Sequence, residues 1–100
     1  MVNWSDNSKK QLASIFAYIS EDSKVYALKM INNITDQVKK LDNFPEMGNV
    51  VSEFNDENIR EIHFAPYRIV YLVRSDGVTI LAVIHSKQNM RNDIINLTTT

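Results

Sequence analysis

The sequence predicts an α+β fold: an N-terminal helical hairpin packed on one face of a three- to four-stranded antiparallel sheet. Three observations carry that expectation. Apolar residues recur at helical spacing up to about residue 42. The period then falls to two beyond a break at Phe44-Pro45-Glu46-Met47-Gly48, and Ser75-Asp76-Gly77 separates two runs rich in β-branched and aromatic residues.

The first helix is expected over residues 6–19, with Ser5 or Asp6 as its cap and Leu12, Ile15, Phe16 and Ile19 along one face. Ser20-Glu21-Asp22-Ser23 is a short break that supplies new capping residues. The second helix runs from there to about residue 42, with Leu28, Ile31, Ile34, Val38 and Leu41 on its stripe. So short a link makes the two helices antiparallel neighbours. Pro45 and Gly48 stop the second one.

A sheet is expected over about residues 50–85. Val50 to Phe54 is a short strand, Ile59 to Phe64 alternates, Tyr67 to Arg74 is aromatic and β-branched, and Val78 to His85 is the most apolar run. By strict alternation Tyr67, Ile69, Tyr71 and Val73 share one face, and Arg68, Val70, Leu72 and Arg74 the other. In the last strand Val78, Ile80, Ala82 and Ile84 share a face, opposite Thr79, Leu81, Val83 and His85. Two helices cover only one side of a sheet, so Arg68 and His85 are both expected on the uncovered side, toward water or a partner. Residues 86–100 form a polar tail.

Composition bounds the function. The 100 residues make a single domain, 1–100, with 44% hydrophobic and 23% charged residues and no cysteine. The absence of cysteine removes disulfides, thiolate metal sites and a Cys nucleophile, and fits a reducing compartment. No apolar run approaches a membrane span, no signal-like h-region opens the chain, and a cytoplasmic protein is expected. Net charge is −1, so the whole chain has no nucleic-acid footprint, although residues 59–100 are mildly basic.

Arg68 is the residue that needs explaining. A guanidinium in a central strand keeps its charge and must face a carboxylate, solvent or an anion. Glu61 on the neighbouring strand is the structural partner available to it. His85 has an acid–base group suited to neutral pH, though a lone His at a strand end is more often a polar terminus. Two histidines without ligand spacing argue against zinc, and no phosphate loop or nucleophile elbow is present, so no cofactor or metal is expected. Tyr67 and Tyr71 share a face, and core packing is the default reading of that pair.

The segments "NFPEMG" (43–48), "IREI" (59–62), "YRIVY" (67–71) and "ILAVIH" (80–85), in this order behind two helices, resemble the RelE/ParE superfamily of toxins from type II toxin–antitoxin systems. The similarity covers roughly residues 4–91. It implies the same α+β fold, a growth-inhibiting function linked to plasmid stabilisation, and a neutralising antitoxin encoded nearby in a hetero-oligomeric complex. Two mechanisms occur in the superfamily. RelE-type members cut mRNA on the ribosome without metal; by that resemblance Arg68 would hold the cleaved phosphate, His85 would move protons, and Glu61, Lys87 and Arg91 would support them. ParE-type members inhibit DNA gyrase by protein contact, without catalysis. The chain's 11 Lys and Arg against 12 Asp and Glu depart from the strongly basic nuclease pattern, so the resemblance favours ParE-type gyrase inhibition. A relative that has lost toxicity and survives as a binding module is the third reading.

Overall fold

Ser5 organises the start of the chain. Its hydroxyl accepts the Ser8 N–H at 3.1 Å, and the buried Ser8 hydroxyl donates back to the Ser5 carbonyl at 2.8 Å. This caps helix α1, Asp6–Ser20, as the sequence predicts. Helix α2, Lys24–Lys39, starts in the same way, with the Ser23 hydroxyl accepting from Tyr26 N–H at 3.1 Å. Its last turn tightens into a 3-10 turn over Lys40–Asp42, so the helical segment ends where the sequence places it.

The computed structural model describes residues 1–86. After strand β1, Val2–Trp4, and the two helices come β2 (Asn49–Val50), β3 (Ile59–Phe64), β4 (Tyr67–Arg74) and β5 (Gly77–His85). They form one sheet in the order β1-β5-β4-β3-β2. The pairs β2–β3, β3–β4 and β4–β5 are antiparallel, as expected. The fifth strand is an addition: β1 runs parallel to β5, with Val2 opposite Val78 and Trp4 opposite Ile80. The tail expected over residues 86–100 lies, beyond Ser86, outside the described residues.

The strand expected over Val50–Phe54 is only two residues long. Val51 is fully buried: its N–H still donates to the Ile59 carbonyl at 3.0 Å, but its side chain packs into a second core and the strand ends there. Leu28 is a second correction. It is 52% exposed, because α2 turns Ala27, Met30, Ile34 and Val38 inward and Leu28 lies off that stripe.

The hairpin packs on the sheet through Met30, Ile34, Val38 and Leu41 against Tyr67, Ile69, Tyr71, Val78, Ile80 and Val83. Each fully buried aliphatic chain there contributes about 2 kcal/mol of transfer free energy. The opposite face is not bare, contrary to expectation. Its centre holds a smaller core of Val51, Ile59, Val70, Ala82 and Ile84, with Phe54 and Leu72 against it. The chain between β2 and β3 covers part of the side the helices cannot reach.

Strand β5 is irregular. Tyr71 pairs with Ile80 but Val70 pairs with Ala82, so Leu81 is an extra residue in the ladder. Its carbonyl accepts from the Ser5 hydroxyl at 3.2 Å, and Val83 N–H donates to the Gln11 side-chain carbonyl at 2.7 Å. The bulge inverts the alternation. Val78 and Ile80 face the helices before it, and Val83 and His85 after it, while Ala82 and Ile84 turn to the other side.

Candidate functional site

Register decides which residues meet. On β3, Ile59, Glu61 and His63 stand opposite Leu72, Val70 and Arg68 of β4. All six therefore lie on the face away from the helices. The Arg68 guanidinium reaches diagonally to Glu61, its Nε donating to Oε1 at 2.9 Å and its NH2 group to Oε2 at 2.5 Å. His63 Nε2 lies 2.5 Å from the same Oε1. The result is a three-member cluster, Arg68–Glu61–His63, set beside the second core.

The three members differ in environment. The Glu61 side chain is 8% exposed, that of Arg68 18% and that of His63 62%. Burial alone would push the Glu61 pKa up. The hydrogen bonds and charges of Arg68 and His63 outweigh it and hold the carboxyl below its ordinary value of 4.5. The Glu61 hydrogen bond raises the pKa of Arg68 in turn, against a smaller opposing effect of burial. A carboxylate with both oxygens engaged is a poor proton acceptor at neutral pH. A guanidinium engaged along its Nε edge keeps its NH1 group and the outer NH2 hydrogen for any further acceptor.

Of the residues singled out in the sequence, Arg68 and Glu61 come together as the ion pair considered there. His85 does not join them. The Leu81 bulge puts it on the helix face, where it pairs with Tyr67 in register and meets that ring edge-on, centroids 5.9 Å apart and planes at 83°. Arg68, by contrast, pairs with Ile84 on the opposite face. The expectation that Arg68 and His85 share the uncovered side is therefore corrected: the sheet stands between them. Lys87 and Arg91 lie outside the described residues. His63 is the member that sequence reasoning undervalued. The signal was present, because residues two apart on a strand share a face and Arg68 is its cross-strand partner.

At the edge of the sheet the "NFPEMG" segment is fixed by two side chains. Gly48 N–H donates to the buried Tyr71 hydroxyl at 2.9 Å, and an Arg60 NH1 group donates to the Gly48 carbonyl at 2.9 Å. Tyr71 is thus core and anchor at once, and burial raises its phenol above the ordinary range. A side chain at Gly48 would stand 2.5 Å from the Glu61 carbonyl oxygen, so only glycine fits. Among the described residues no three His, Asp or Glu side chains gather as metal ligands, and no helix is long and apolar enough to cross a membrane.

Comparisons with known proteins agree with this architecture. A family model described as the ParE toxin of the type II toxin–antitoxin system, parDE, matches residues 2–90. A solved structure described as a chromosomal ParDE TA system from P. aeruginosa has a chain similar to this one with a TM-score of 0.70. The match covers 84% of this chain and 92% of that one at 21% identity, a likeness of fold. Curated protein sequences give no significant match.

Proposed function

Because this chain belongs to the ParE toxin family of type II toxin–antitoxin systems, we propose that it inhibits growth by ParE-type inhibition of DNA gyrase, through protein contact in the cytoplasm, and that a cognate antitoxin holds it inactive. One observation carries the choice of mechanism: Arg68 is held by Glu61 on one face of the sheet while His85 lies on the other. A metal-free ribonuclease needs a cation at the developing phosphate charge and a proton-transfer group within reach of the same atoms. Arg68 and His85 are not arranged for that. The net charge of −1 points the same way, since cleavage on the ribosome draws affinity from many phosphate contacts. In this reading Arg68 braces the strand pair, and the surface of the domain provides the recognition. Plasmid stabilisation follows if the module is plasmid-borne.

The test compares two assays on the same protein. Induced without antitoxin, the toxin should accumulate gyrase-cleaved DNA and block supercoiling by purified gyrase, leaving translated messages intact. Codon-biased cuts in those messages by primer extension, with supercoiling unimpaired, would overturn the proposal in favour of the nuclease. Unimpaired growth on induction would remove both.

A further inference from the structure

Strand β5 can be aligned with β4 in two ways that bury the same apolar run. In the alignment present, Tyr71 pairs with Ile80 and Val70 with Ala82, and Leu81 is spare. A regular ladder would set Val70 opposite Leu81, Ile69 opposite Ala82, Arg68 opposite Val83 and Tyr67 opposite Ile84, the alternation that the sequence alone predicts. That shift exchanges the two faces beyond Ile80. Ala82 and Ile84 would turn to the helices, Val83 to the second core, and His85 to the side of Arg68. Residues 81–84 are all apolar, and both sides of the sheet carry a core here. Burial therefore does not choose between the alignments.

Main-chain direction does. Successive carbonyls of a regular strand point to opposite edges. The Ile80 and Leu81 carbonyls both point to Ser5, the first accepting its N–H at 2.9 Å and the second its hydroxyl at 3.2 Å. A strand presents two carbonyls in a row to one edge only where a residue is spare. Regular alignment would turn the Leu81 carbonyl to β4 and take that acceptor from the Ser5 hydroxyl. The bond from Val83 N–H to Gln11 does not discriminate, because Ala82 N–H would move into the same place. The Ser5 hydroxyl thus has two separable tasks: it accepts from Ser8 N–H to cap α1, and it donates to Leu81.

We propose that β5 is a two-register strand and that Ser5 is the catch that holds it in the bulged register, so that the start of α1 decides on which face of the sheet His85 lies. The device is independent of the toxin's target. It couples an element at one edge of the domain to the composition of the face that carries Arg68, Glu61 and His63.

The test is NMR of the full chain, with exchange saturation transfer on the amides of residues 81–85 to count the second register. Ser5→Asp keeps the cap, since aspartate accepts from Ser8 N–H as well as serine does, but has no proton for the Leu81 carbonyl. It should raise the second register about fivefold over the parent, the worth of one net hydrogen bond. Cross-strand contacts of Ile69 with Ala82 should appear beside those with Val83, and the ring contact of His85 with Tyr67 should weaken in proportion. Ser5→Thr, which keeps both cap and donor, should match the parent. Deleting Leu81 removes the spare residue, and should abolish the exchange while His85 stays against Tyr67. Absence of a second state in both parent and Ser5→Asp, or equal effects of Asp and Thr, would overturn the proposal. So would exchange that spreads to the Ser8 amide, which reports a lost cap, or loss of the Tyr67–His85 contact on deleting Leu81.

Discussion

Replacing Arg68 by Ala isolates the Glu61 carboxylate in a site where its side chain is 8% exposed. Removing one partner of a fully buried ion pair costs about 3–5 kcal/mol, most of it the penalty of the charge left behind. Here Arg68 itself is 18% exposed, and His63 remains in contact with the stranded carboxylate. Both reduce the penalty, so the expected loss is about 2–3 kcal/mol. Replacing both partners with apolar residues of similar volume, Glu61→Leu with Arg68→Met, removes the charge and the demand for a partner together. That variant should lie within about 1 kcal/mol of the parent, since such swaps are often neutral. Urea unfolding followed by circular dichroism, with equal slopes checked across the variants, measures both values. A cost below about 0.5 kcal/mol for Arg68→Ala would mean the pair behaves as an exposed one and would refute the reasoning. So would a double variant no more stable than the single. The comparison also bears on function: if Arg68 is structural, growth inhibition follows stability across the variants, weakened in the single variant only as far as its folded population falls and restored in the double one.

The same pair sets an acid limit. Glu61 has a folded-state pKa below its ordinary 4.5, so its contribution to stability is complete above about that pH. It is lost as pH falls through the lower folded value, and acid titration of the unfolding midpoint should show a drop below pH 4.5 that the Glu61→Leu/Arg68→Met variant lacks. Gly48→Ala should cost about 1–3 kcal/mol in urea unfolding, because the new methyl meets main chain at 2.5 Å and a buried hydroxyl at 2.6 Å. Tyr71→Phe should cost about 1–3 kcal/mol by the same measurement, since it strands the buried Gly48 N–H. Ser5→Ala should cost about 1 kcal/mol for the lost cap and speed hydrogen exchange of the Ser8 amide in α1.

How much of this was legible in the sequence depended on whether polarity alternated. The two helices were, because polar and apolar residues alternate along them at one clear period and serines mark both starts. Strand β3 was as well, with Glu61 and His63 on one side and Ile62 and Phe64 on the other. Strand β5 was not. "ILAVI" is apolar on both faces, so nothing in it reveals where one residue is skipped, and the Leu81 bulge reversed the assignment of His85. Strand β1 escaped because three residues carry too little pattern, and its parallel partner lies more than seventy residues away. The Arg68–Glu61 pair was foreseeable from neighbouring strands; the third member, His63, needed the register.

The unequal lengths of the strands have a last consequence, for self-association. A free strand edge invites another chain to extend the sheet. On the β5 side, β1 covers residues 78–80, and Ser5 and Gln11 occupy main-chain groups of Ile80, Leu81 and Val83, so much of β5 itself is already engaged. On the β3 side, the two residues of β2 cover only Arg60 and Glu61. The border from Ile62 to Phe64 has no neighbouring strand among the described residues. That stretch of β3 leaves main-chain groups that an added extended peptide can pair with to lengthen the sheet.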